Sequence, residues 1–382
     1  MRKNSNINYQ ISNIDHSPKI AIVTSWITGV GGSERVLYQL HKLYPDAPIY
    51  TATYEPGNST LFKSADIRTS WMQKLPKFLR KHQLLTIPRQ WYFGRLKLKG
   101  YDIVFSAGSS EEKAVQAPDG IHLNMCYTPT LQYWVKPEEY LNKDGSGGLN
   151  PLWRFGLKIL MPYVKKWDYK ASKNPDKMYA ISTAVQGRIK KYYDRESELL
   201  YPPTDIERFT VEKPASRDGF VTFGRQVQHK RFDLAISACN EAQVPLTVIG
   251  QGPEHQRLRN MAGDTVTFKT NISDEDMVKF IAKAEAFIFP NEEDFGIVSV
   301  EAQAAGVPVI AYRAGGALDT VVEGVTGEFF DKQTVNCLAE KLADFNYKLY
   351  NRTEIIENAK KFSNEAFATR VKEIIKTKTS KN

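Results

Sequence analysis

The chain has 382 residues, 42% of them hydrophobic, and a length of this order favours two folded domains over one. Its net charge is +9, and its three cysteines, Cys126, Cys239 and Cys337, are widely spaced. Such a set excludes a disulfide framework and indicates a reducing compartment. The polar stretch 1–17 lacks the apolar centre of a signal peptide, and no apolar run reaches the ~18 residues of a membrane span. We expect a cytoplasmic protein, soluble or peripheral on the inner face of the membrane.

The first half of the chain alternates short apolar runs with helical patterns. A β-branched run at 19–24 is followed by glycines and then by apolar residues at helical spacing over 33–44. Further buried strands are predicted at 48–53, 101–106, 122–127 and 177–182. Alternation of this kind predicts an α/β domain with a parallel sheet covered on both faces.

The pattern breaks at Pro202-Pro203, which can continue neither a helix nor a central strand, and then restarts. Strands are predicted at 219–224, 245–250, 264–268, 286–289 and 307–311, with helices at 232–240, 274–284 and 297–305. We therefore predict an N-terminal domain over 1–205 and a second α/β domain over 206–365. The remaining residues, 366–382, are predicted to form a helix that crosses back to the N-terminal domain.

The segment 71–99 is strongly basic. It contains eight Lys or Arg residues and no acidic residue, with aromatic residues between the cations. This mixture is typical of a surface that docks on an anionic membrane. A solvated basic face over ordinary core aromatics explains it equally well. Nucleic acid is a weaker third alternative, because the sequence shows no nucleic-acid-binding motif.

A glycine-rich loop, 28–34, connects the first predicted strand to the first helix. Its small residues, Gly31 and Gly32 among them, would let backbone amides approach a phosphate, and a helix N-terminus favours an anion. The spacing differs from the dinucleotide pattern G-x-G-x-x-G. The loop is therefore either a ligand-facing loop or a purely structural tight turn.

A second candidate site follows the strand at 219–224. Arg225 comes directly after the strand and Lys230 five residues later, before a helix. Crevices in open α/β sheets lie at the carboxyl ends of strands, where these cations could take up the charge of a departing diphosphate. Gly250 ends the next strand and is expected at the same edge. A solvated basic loop is the alternative.

The third candidate site is the block 289–302. Glu293 lies on the loop after a predicted strand, and Glu301 falls about one turn into the next helix. Gly296 allows the chain to turn close to a ligand, and the free amides of Gly296, Ile297 and Val298 would face it. Carboxylates around a helix N-terminus suit a ligand with an anionic group and several hydroxyls, as in a nucleotide-sugar.

Together these motifs resemble the retaining glycosyltransferases of family 4, and residues 19–365 carry the resemblance. Glu293 and Glu301 match the E-x7-E pair of that family, and Arg225 and Lys230 match its donor-diphosphate pair. The resemblance implies the GT-B fold, in which two Rossmann-like domains have parallel sheets that face a central cleft. The implied donor-binding positions are Gly31, Gly32, Arg225, Lys230, Gly250, Glu293, Phe295, Gly296, Ile297, Val298 and Glu301.

The stretches 292–297 and 314–318 are most similar to bacterial mannosyltransferases of O-antigen and capsule assembly. This similarity implies GDP-mannose as the donor, with a UDP-sugar as the alternative. A glycan or a polyprenyl-linked molecule is the implied acceptor. Relatives often have His-Thr-Pro followed by Arg in the N-terminal domain, whereas this chain has Tyr127 at the His position and Leu131 at the Arg position. Tyr127 is thus a candidate for the acceptor or donor-sugar side, with a core tyrosine as the alternative.

The resemblance also implies a mechanism. The C-terminal domain would hold the nucleotide diphosphate and the N-terminal domain the acceptor, with closure around Pro202-Pro203. Arg225, Lys230 and Glu293 are the implied catalytic residues. Attack on the front face would retain the anomeric configuration, with no cofactor and no essential metal. The triplet 274–276 is interpreted as a helix start capped by Ser273, not as a metal site.

Two other classes of function compete. The first strand, glycine loop and helix resemble part of a nicotinamide-dependent oxidoreductase, with Glu55 placed for a ribose. That alternative has the wrong glycine spacing and leaves Glu293 and Glu301 unexplained. The second competing class is a sugar-nucleotide-binding protein without catalytic activity. The absence of the His that relatives often have in the N-terminal domain keeps this alternative open.

Overall fold

A computed structural model describes residues 18–29, 31–58, 61–80, 84–135, 137–138 and 151–379, without the side chains of 58, 151–155, 157, 378 and 379. The polar stretch 1–17, Val30 of the glycine loop and Lys81 of the basic segment lie outside these ranges, as do the last three residues, 380–382.

The chain divides into two compact units. The first contains Met1–Ile181, Val185–Leu200 and Ala368–Asn382. The second contains Ser182–Ala184 and Tyr201–Phe367. The last helix, Asn364–Thr379, therefore begins in the second unit and continues in the first.

The first unit is built on a parallel sheet of seven strands in the order β5-β3-β1-β6-β7-β8-β9. These strands are β1 (Ile20–Val23), β3 (Ile49–Thr51), β5 (Ile67–Thr69), β6 (Ile103–Gly108), β7 (Ile121–Cys126), β8 (Lys177–Ala180) and β9 (Glu198–Leu199). A separate short pair consists of β2 (Trp26–Ile27) and β4 (Thr53–Tyr54). The helices are α1 (Gly32–Leu43), α2 (Thr86–Arg95), α3 (Pro151–Ala171) and α4 (Thr183–Tyr193).

The second unit has a parallel sheet of six strands in the order β12-β11-β10-β13-β14-β15. The strands are β10 (Phe220–Phe223), β11 (Leu246–Ile249), β12 (Val266–Lys269), β13 (Ala286–Phe289), β14 (Val309–Tyr312) and β15 (Gly327–Phe330). The helices are α5 (Phe232–Ala242), α6 (His255–Met261), α7 (Asp274–Lys283), α8 (Ile297–Ala304), α9 (Ala317–Thr320), α10 (Val335–Asp344), α11 (Arg352–Lys360) and α12 (Asn364–Thr379).

The central strands are apolar because both faces of each sheet are covered. In β1 and β13 every residue is buried, and β1 pairs in register with both neighbours, Ile22 opposite Ile49 and Phe105. The apolar face of α5 packs in one core with β10 and β13, including Phe220, Ile236 and Ile288. These runs bury apolar surface on both sides, as parallel sheets require.

Both sheets have a topological switch point, where successive connections leave in opposite directions. It lies between β1 and β6 in the first unit and between β10 and β13 in the second. At such points the two loops after the strands separate and leave a crevice at the carboxyl edge.

The predicted α/β class with two Rossmann-like halves is confirmed. Some strand bounds differ from prediction. The strand predicted at 101–106 runs from Ile103 to Gly108, since its pairing with β7 continues as far as Gly108 opposite Cys126. The strand predicted at 307–311 begins at Val309, after Pro308, which has no N–H to donate. None of the described helices is long and apolar enough to cross a membrane.

Candidate active site

The carboxyl edge of the second sheet brings two predicted motifs together. The loop with Arg225 and Lys230 follows β10, and the loop with Asn291 and Glu293 follows β13. Because β10 and β13 are neighbours at the switch point, both loops border the same crevice.

Lys230 and Glu293 form an ion pair between Nζ and Oε1 at this crevice. Their side chains are 23% and 19% exposed, so the pair is neither sealed off nor fully solvated. Asn291 Nδ2 donates a second hydrogen bond, of 3.0 Å, to the same Glu293 oxygen. The carboxylate is therefore held in place by two donors and remains accessible to a ligand.

Arg225 is exposed, and its guanidinium makes no ion pair with any residue that the structure describes. The backbone beside it is tightly constrained. Gly224 and Gly250 have positive φ values of 134° and 118°, and a Cβ on Gly250 would lie 2.2 Å from the Gly224 carbonyl oxygen. Gln226 is buried and donates from Nε2 to the Gly250 carbonyl at 2.8 Å. The predicted residue Gly250 thus supports the turn that presents Arg225.

Gly296 is the residue before α8 and adopts the left-handed conformation, with φ 86°. A Cβ there would lie 2.7 Å from the Phe289 ring, so only glycine fits without a rearrangement. The chain turns sharply at this point, and Ile297 and Val298 follow as half-buried residues of the first helical turn. The first amides of a helix have no intrahelical partner and can bind an anion.

The loop 314–316 closes against the backbone of Glu293. The Gly316 amide donates to the Glu293 carbonyl at 2.8 Å. A Cβ on Gly315, which has φ 63°, would lie 2.2 Å from that carbonyl oxygen. The glycines after β14 therefore pack on the Glu293 loop and fix its path.

Glu301 lies on α8 and is only 7% exposed, so it is not a solvent-exposed residue of that helix. The helix is fixed by a buried polar network. Ser299 Oγ lies 2.8 Å from Thr320 Oγ1, and Gln303 Nε2 donates to the Thr320 carbonyl at 2.9 Å. Asn358 Nδ2 donates to Gln303 Oε1 at 2.8 Å. This network joins α8 to α9 and α11 and holds the position of the helix N-terminus.

Phe295 is buried, and its ring lies 5.9 Å from that of Tyr201 and 5.5 Å from that of Phe362. Its side chain is therefore part of the aromatic core of the second unit. The prediction that Phe295 binds the donor holds at most for its backbone, because the ring packs on Tyr201 and Phe362.

In the first unit, Gly31 precedes α1, and its amide donates to Glu34 Oε2 at 3.1 Å. Gly32 is the first residue of the helix. Tyr127 follows β7 and is half-buried, and its hydroxyl donates to the Ser33 carbonyl at 3.4 Å. Burial, together with Glu112 and Glu34, raises the pKa of Tyr127 well above its ordinary value, so the phenol remains a donor. Tyr127 and the glycine loop thus meet at one corner of the first sheet.

A buried charged turn, Glu111–Ala114, follows β6 and was not predicted from the sequence. Glu111 pairs with Arg89 of α2, with 2.9 Å between Oε2 and Nε. Lys113 pairs with Asp168 of α3, with 2.7 Å between Nζ and Oδ1. Burial lowers the pKa of Lys113, but Asp168 and Glu112 raise it above its ordinary value. The signal was present, because the predicted strand at 101–106 is followed closely by three consecutive charged residues.

The structure bears on two predictions from the sequence, a basic surface at 71–99 and a helix start at 274–276 that is capped by Ser273. Arg89 is 3% exposed, so it is no part of a basic surface, and Phe93 is buried as well. Trp71, Phe78 and Trp91 are exposed. Ser273 Oγ accepts from the Asp276 amide at 3.0 Å, which confirms the predicted cap of α7. In the described part of the chain, no cluster of His, Cys, Asp or Glu is arranged to hold a metal ion.

Residues 203–362 match the family model described as Glycosyl transferases group 1. The matched residues, which make up less than half of the chain, are similar to that family. The match covers the crevice with Arg225, Lys230, Glu293 and Glu301, and it confirms the resemblance found in the sequence.

Named relatives align with half of the chain or less. A GDP-mannose-dependent alpha-(1-6)-phosphatidylinositol monomannoside mannosyltransferase of Mycolicibacterium smegmatis is 29% identical over 216 residues, covering 48% of this chain and 56% of the relative. A GDP-mannose-dependent alpha-mannosyltransferase of Corynebacterium glutamicum is 34% identical over 131 residues, covering 33% and 31%. The chain thus spans about half the length, or less, of these relatives.

Solved structures of glycosyltransferases match almost the whole chain. Anabaena HepE in complex with UDP has a TM-score of 0.67 and 18% identity, over 94% of this chain and 100% of that one. Sucrose-phosphate synthase from Thermosynechococcus elongatus has a TM-score of 0.68 and 18% identity, over 96% and 100%. Identities this low show the fold alone, and the fold is GT-B.

Proposed function

We propose that the chain is a glycosyltransferase that moves a mannosyl group from GDP-mannose to a glycan or lipid-linked acceptor, with retention of the anomeric configuration. The observation that carries this proposal is the ion pair between Lys230 and Glu293 at the switch point of the group 1 glycosyltransferase domain. It supports binding of the donor phosphate by the cation and of sugar hydroxyls by the carboxylate.

The cations of the crevice are proposed to bind the diphosphate of the donor. A nucleoside diphosphate carries more negative charge than the single Glu293 carboxylate, so it competes with Glu293 for Lys230 Nζ. Arg225, which has no ion pair among the described residues, supplies a second cation with fork geometry. The amides at the start of α8 add uncharged donors. Together these groups stabilise the charge that develops on the leaving diphosphate.

The two glutamates are proposed to bind the hydroxyl groups of the donor. When the diphosphate binds Lys230, the ion pair between Lys230 and Glu293 breaks. The Glu293 carboxylate then accepts hydrogen bonds from hydroxyls of the transferred sugar. Glu301, buried on α8 one turn past the anion-binding amides, accepts from hydroxyls of the ribose. The carboxylates thus bind the polyol parts of the donor and the cations bind its anionic part.

Retention is proposed to follow from attack on the face that the diphosphate leaves. The bond between the anomeric carbon and the phosphate oxygen breaks, and a bond from an acceptor hydroxyl oxygen to the same carbon forms. The proton of that hydroxyl passes to a departing phosphate oxygen. The described side chains that would assist, Lys230 and Arg225, act as charge stabilisers, and the step uses no metal ion or cofactor.

The choice of GDP-mannose rests on similarity. Relatives from Mycolicibacterium smegmatis and Corynebacterium glutamicum are named as GDP-mannose-dependent mannosyltransferases, and their alignments cover up to half of this chain. A UDP-sugar is the second candidate, because HepE, which has the same fold, is in complex with UDP.

The acceptor is proposed to bind the first unit, where Tyr127 and the glycine loop meet. Exposed Trp71, Phe78 and Trp91 stand among the cations of the segment 71–99. They favour an acceptor at an anionic membrane surface, on which a cytoplasmic enzyme would act as a peripheral protein. A soluble glycan acceptor would not use this surface.

The proposed function is tested with a panel of sugar nucleotides. Thermal shifts with GDP-mannose, UDP-glucose and ADP-glucose select the donor, and release of the nucleoside diphosphate is then measured with the purified chain. We expect the largest shift and the fastest release with GDP-mannose, and loss of release in Lys230→Ala. A preference for UDP-glucose would replace the proposed donor. Stabilisation by NADH with no response to any sugar nucleotide would contradict the proposed class of enzyme.

A further inference from the structure

A cavity of about 590 Å³ lies between α2 and α3 in the first unit, and the residues that line it include neither Tyr127 nor any described residue of the glycine loop. Trp91 of α2 and Tyr163 and Trp167 of α3 form its aromatic walls. Trp91 and Tyr163 are 52% and 55% exposed, which is unusual for large aromatic side chains. The cavity therefore opens to the surface between two amphipathic side chains.

One polar side chain in the cavity lacks its hydrogen bonds. Gln90 lines the cavity and is only 2% exposed, yet neither its Nε2 nor its Oε1 has a hydrogen-bond partner among the described residues. A buried carboxamide left in this state costs free energy, and buried polar groups are almost always paired. An occupant of the cavity that both accepts and donates hydrogen bonds would satisfy both ends of Gln90.

The charge at the cavity is positive. Arg95 and Lys97 contribute to its lining, and the Arg95 guanidinium lies 4.7 Å from the centre of the Trp91 ring. Neither cation forms an ion pair with any residue that the structure describes. The nearby carboxylates of Glu111 and Asp168 are buried and paired elsewhere. The cavity thus offers two cations and no competing carboxylate to an anionic group.

The walls of the cavity are fixed to the carboxyl edge of the first sheet. The buried pair of Arg89 and Glu111 joins α2 to the turn Glu111–Ala114, and the pair of Lys113 and Asp168 joins α3 to the same turn. Gln116 Nε2 also donates to the Gly94 carbonyl of α2 at 3.0 Å. The cavity is therefore preformed by these contacts.

We propose that this cavity binds the headgroup of an anionic lipid that carries a phosphate and hydroxyl groups. The phosphate accepts from Arg95, Lys97 and Gln90 Nε2, and a headgroup hydroxyl donates to Gln90 Oε1. The chains of the lipid lie along exposed Ile87, which lines the cavity, and exposed Ile159, about one turn before Tyr163 on α3. That this lipid is the anchor of the acceptor rests on the proposed function, whereas the site itself does not.

The site is tested by calorimetric titration with dihexanoylphosphatidylglycerol below its critical micelle concentration. We expect one molecule to bind to each chain in the absence of any sugar nucleotide. Dihexanoylphosphatidylcholine, which has the same chains but no hydroxyls and no net charge, should bind at least about tenfold more weakly. Equal affinity for the two lipids would overturn the role of the headgroup. Glycerol 1-phosphate binding as tightly as the lipid would show a soluble phosphate ester as the occupant and overturn the lipid.

Variants separate a binding role of Gln90 from a structural one. Gln90→Leu keeps the size of the side chain, and because the carboxamide is unpaired it should leave the melting temperature unchanged or raise it. It should also weaken lipid binding about tenfold. A fall in melting temperature with unchanged lipid affinity would assign Gln90 to the structure and overturn its role.

A second comparison does not depend on a buried residue. Arg95→Gln should weaken lipid binding about tenfold, whereas Lys332→Gln, an equal change in net charge at an exposed position of the second unit, should have no effect. Equal effects of the two variants would reduce the interaction to nonspecific charge and contradict a site. In the unaltered chain, failure of sugar transfer with intact lipid binding would count against the proposed function alone. Absence of lipid binding to the unaltered chain, with intact transfer to a soluble acceptor, would count against this site alone.

Discussion

Lys230 and Glu293, which are 63 positions apart in sequence, form an ion pair where the loops after β10 and β13 diverge. Neither residue is in a regular strand or α-helix, and each is placed by the strand before it. The pair joins the cationic motif and the acidic motif of the sequence into one site.

Replacing Lys230 with Met should lower the rate of sugar transfer by about 10²-fold or more, because the leaving diphosphate loses a cation. The melting temperature should change little, since the pair is partly exposed and such pairs contribute weakly to stability. Lys332→Met serves as the control for the removed charge. Transfer by Lys230→Met at the rate of the control would contradict the catalytic role.

Gly296→Ala should destabilise the second unit by about 1–3 kcal/mol, because Gly296 has φ 86° and the new Cβ would lie 2.7 Å from the Phe289 ring. Donor affinity should fall as the start of α8 shifts. Denaturant unfolding and nucleotide titration measure the two effects. Gly187→Ala, in the open middle of α4, should leave stability unchanged or raise it by up to about 1 kcal/mol. The idea fails if the two variants behave alike.

Asn358→Leu should cost about 1–3 kcal/mol of unfolding free energy, because it leaves Gln303 Oε1 without a donor and removes one of the two donors to the Thr320 carbonyl. Since the network fixes α8, the affinity for the donor should fall as well. Glu357→Gln, an exposed change on the same helix, should stay within about 0.5 kcal/mol of the unaltered chain. Unaltered donor affinity in Asn358→Leu would separate this network from the site.

Lys113→Met should destabilise the first unit by about 3–5 kcal/mol, because Asp168 then remains buried without its cation. Adding Asp168→Asn should recover part of this loss, since the remaining donors to that side chain include the hydroxyl of Tyr193 and the indole of Trp134. The exposed pair of Lys190 and Glu196 is the comparison, and Lys190→Met should have little effect on stability because this pair is solvated. Equal costs at the two sites would contradict the importance of burial.

His122 gives the first unit a defined dependence on pH. Burial, with a further contribution from Arg195, lowers the pKa of His122 to about 3 from its ordinary value of 6.5. The folded state keeps the ring neutral, so its contribution is complete above pH ~6.5 and is lost as pH falls from there towards 3. Relative to His122→Asn, the unaltered chain should lose about 1.4 kcal/mol per pH unit within this window.

Urea unfolding of both proteins at pH 7, 6, 5 and 4 measures this difference directly. The comparison cancels the carboxylates, which titrate in both proteins. Parallel stability curves would show that His122 has the same pKa in the folded and unfolded states and would refute the assignment.

Much of the second unit was predictable because its elements have simple signals. The strand at 286–289 and the start of α8 at Ile297 agree with the prediction, since an apolar run and a glycine mark them. The pairing of Lys230 with Glu293 was not predictable from spacing, because it depends on which strands are neighbours. The sheet order supplies that information.

The surroundings of individual side chains were predicted less completely in both units. The segment 71–99 looked uniformly basic, yet Arg89 is buried against Glu111, a residue 22 positions later. Phe295 looked like a ligand contact, but its ring packs on Tyr201 and Phe362, which are remote in sequence. In both cases a residue remote in sequence determines whether the side chain is buried or exposed. The composition of the segment does not identify that residue.

The central claim is that the crevice between β10 and β13 binds the nucleoside diphosphate of the donor. Calorimetric titration of GDP into the purified chain, into Lys230→Met and into Lys332→Met tests it most directly. We predict that GDP binds the unaltered chain and Lys332→Met with equal affinity, and Lys230→Met at least about tenfold more weakly. Equal affinity of GDP for all three proteins, or no binding of GDP, UDP or ADP to the unaltered chain, would contradict the claim.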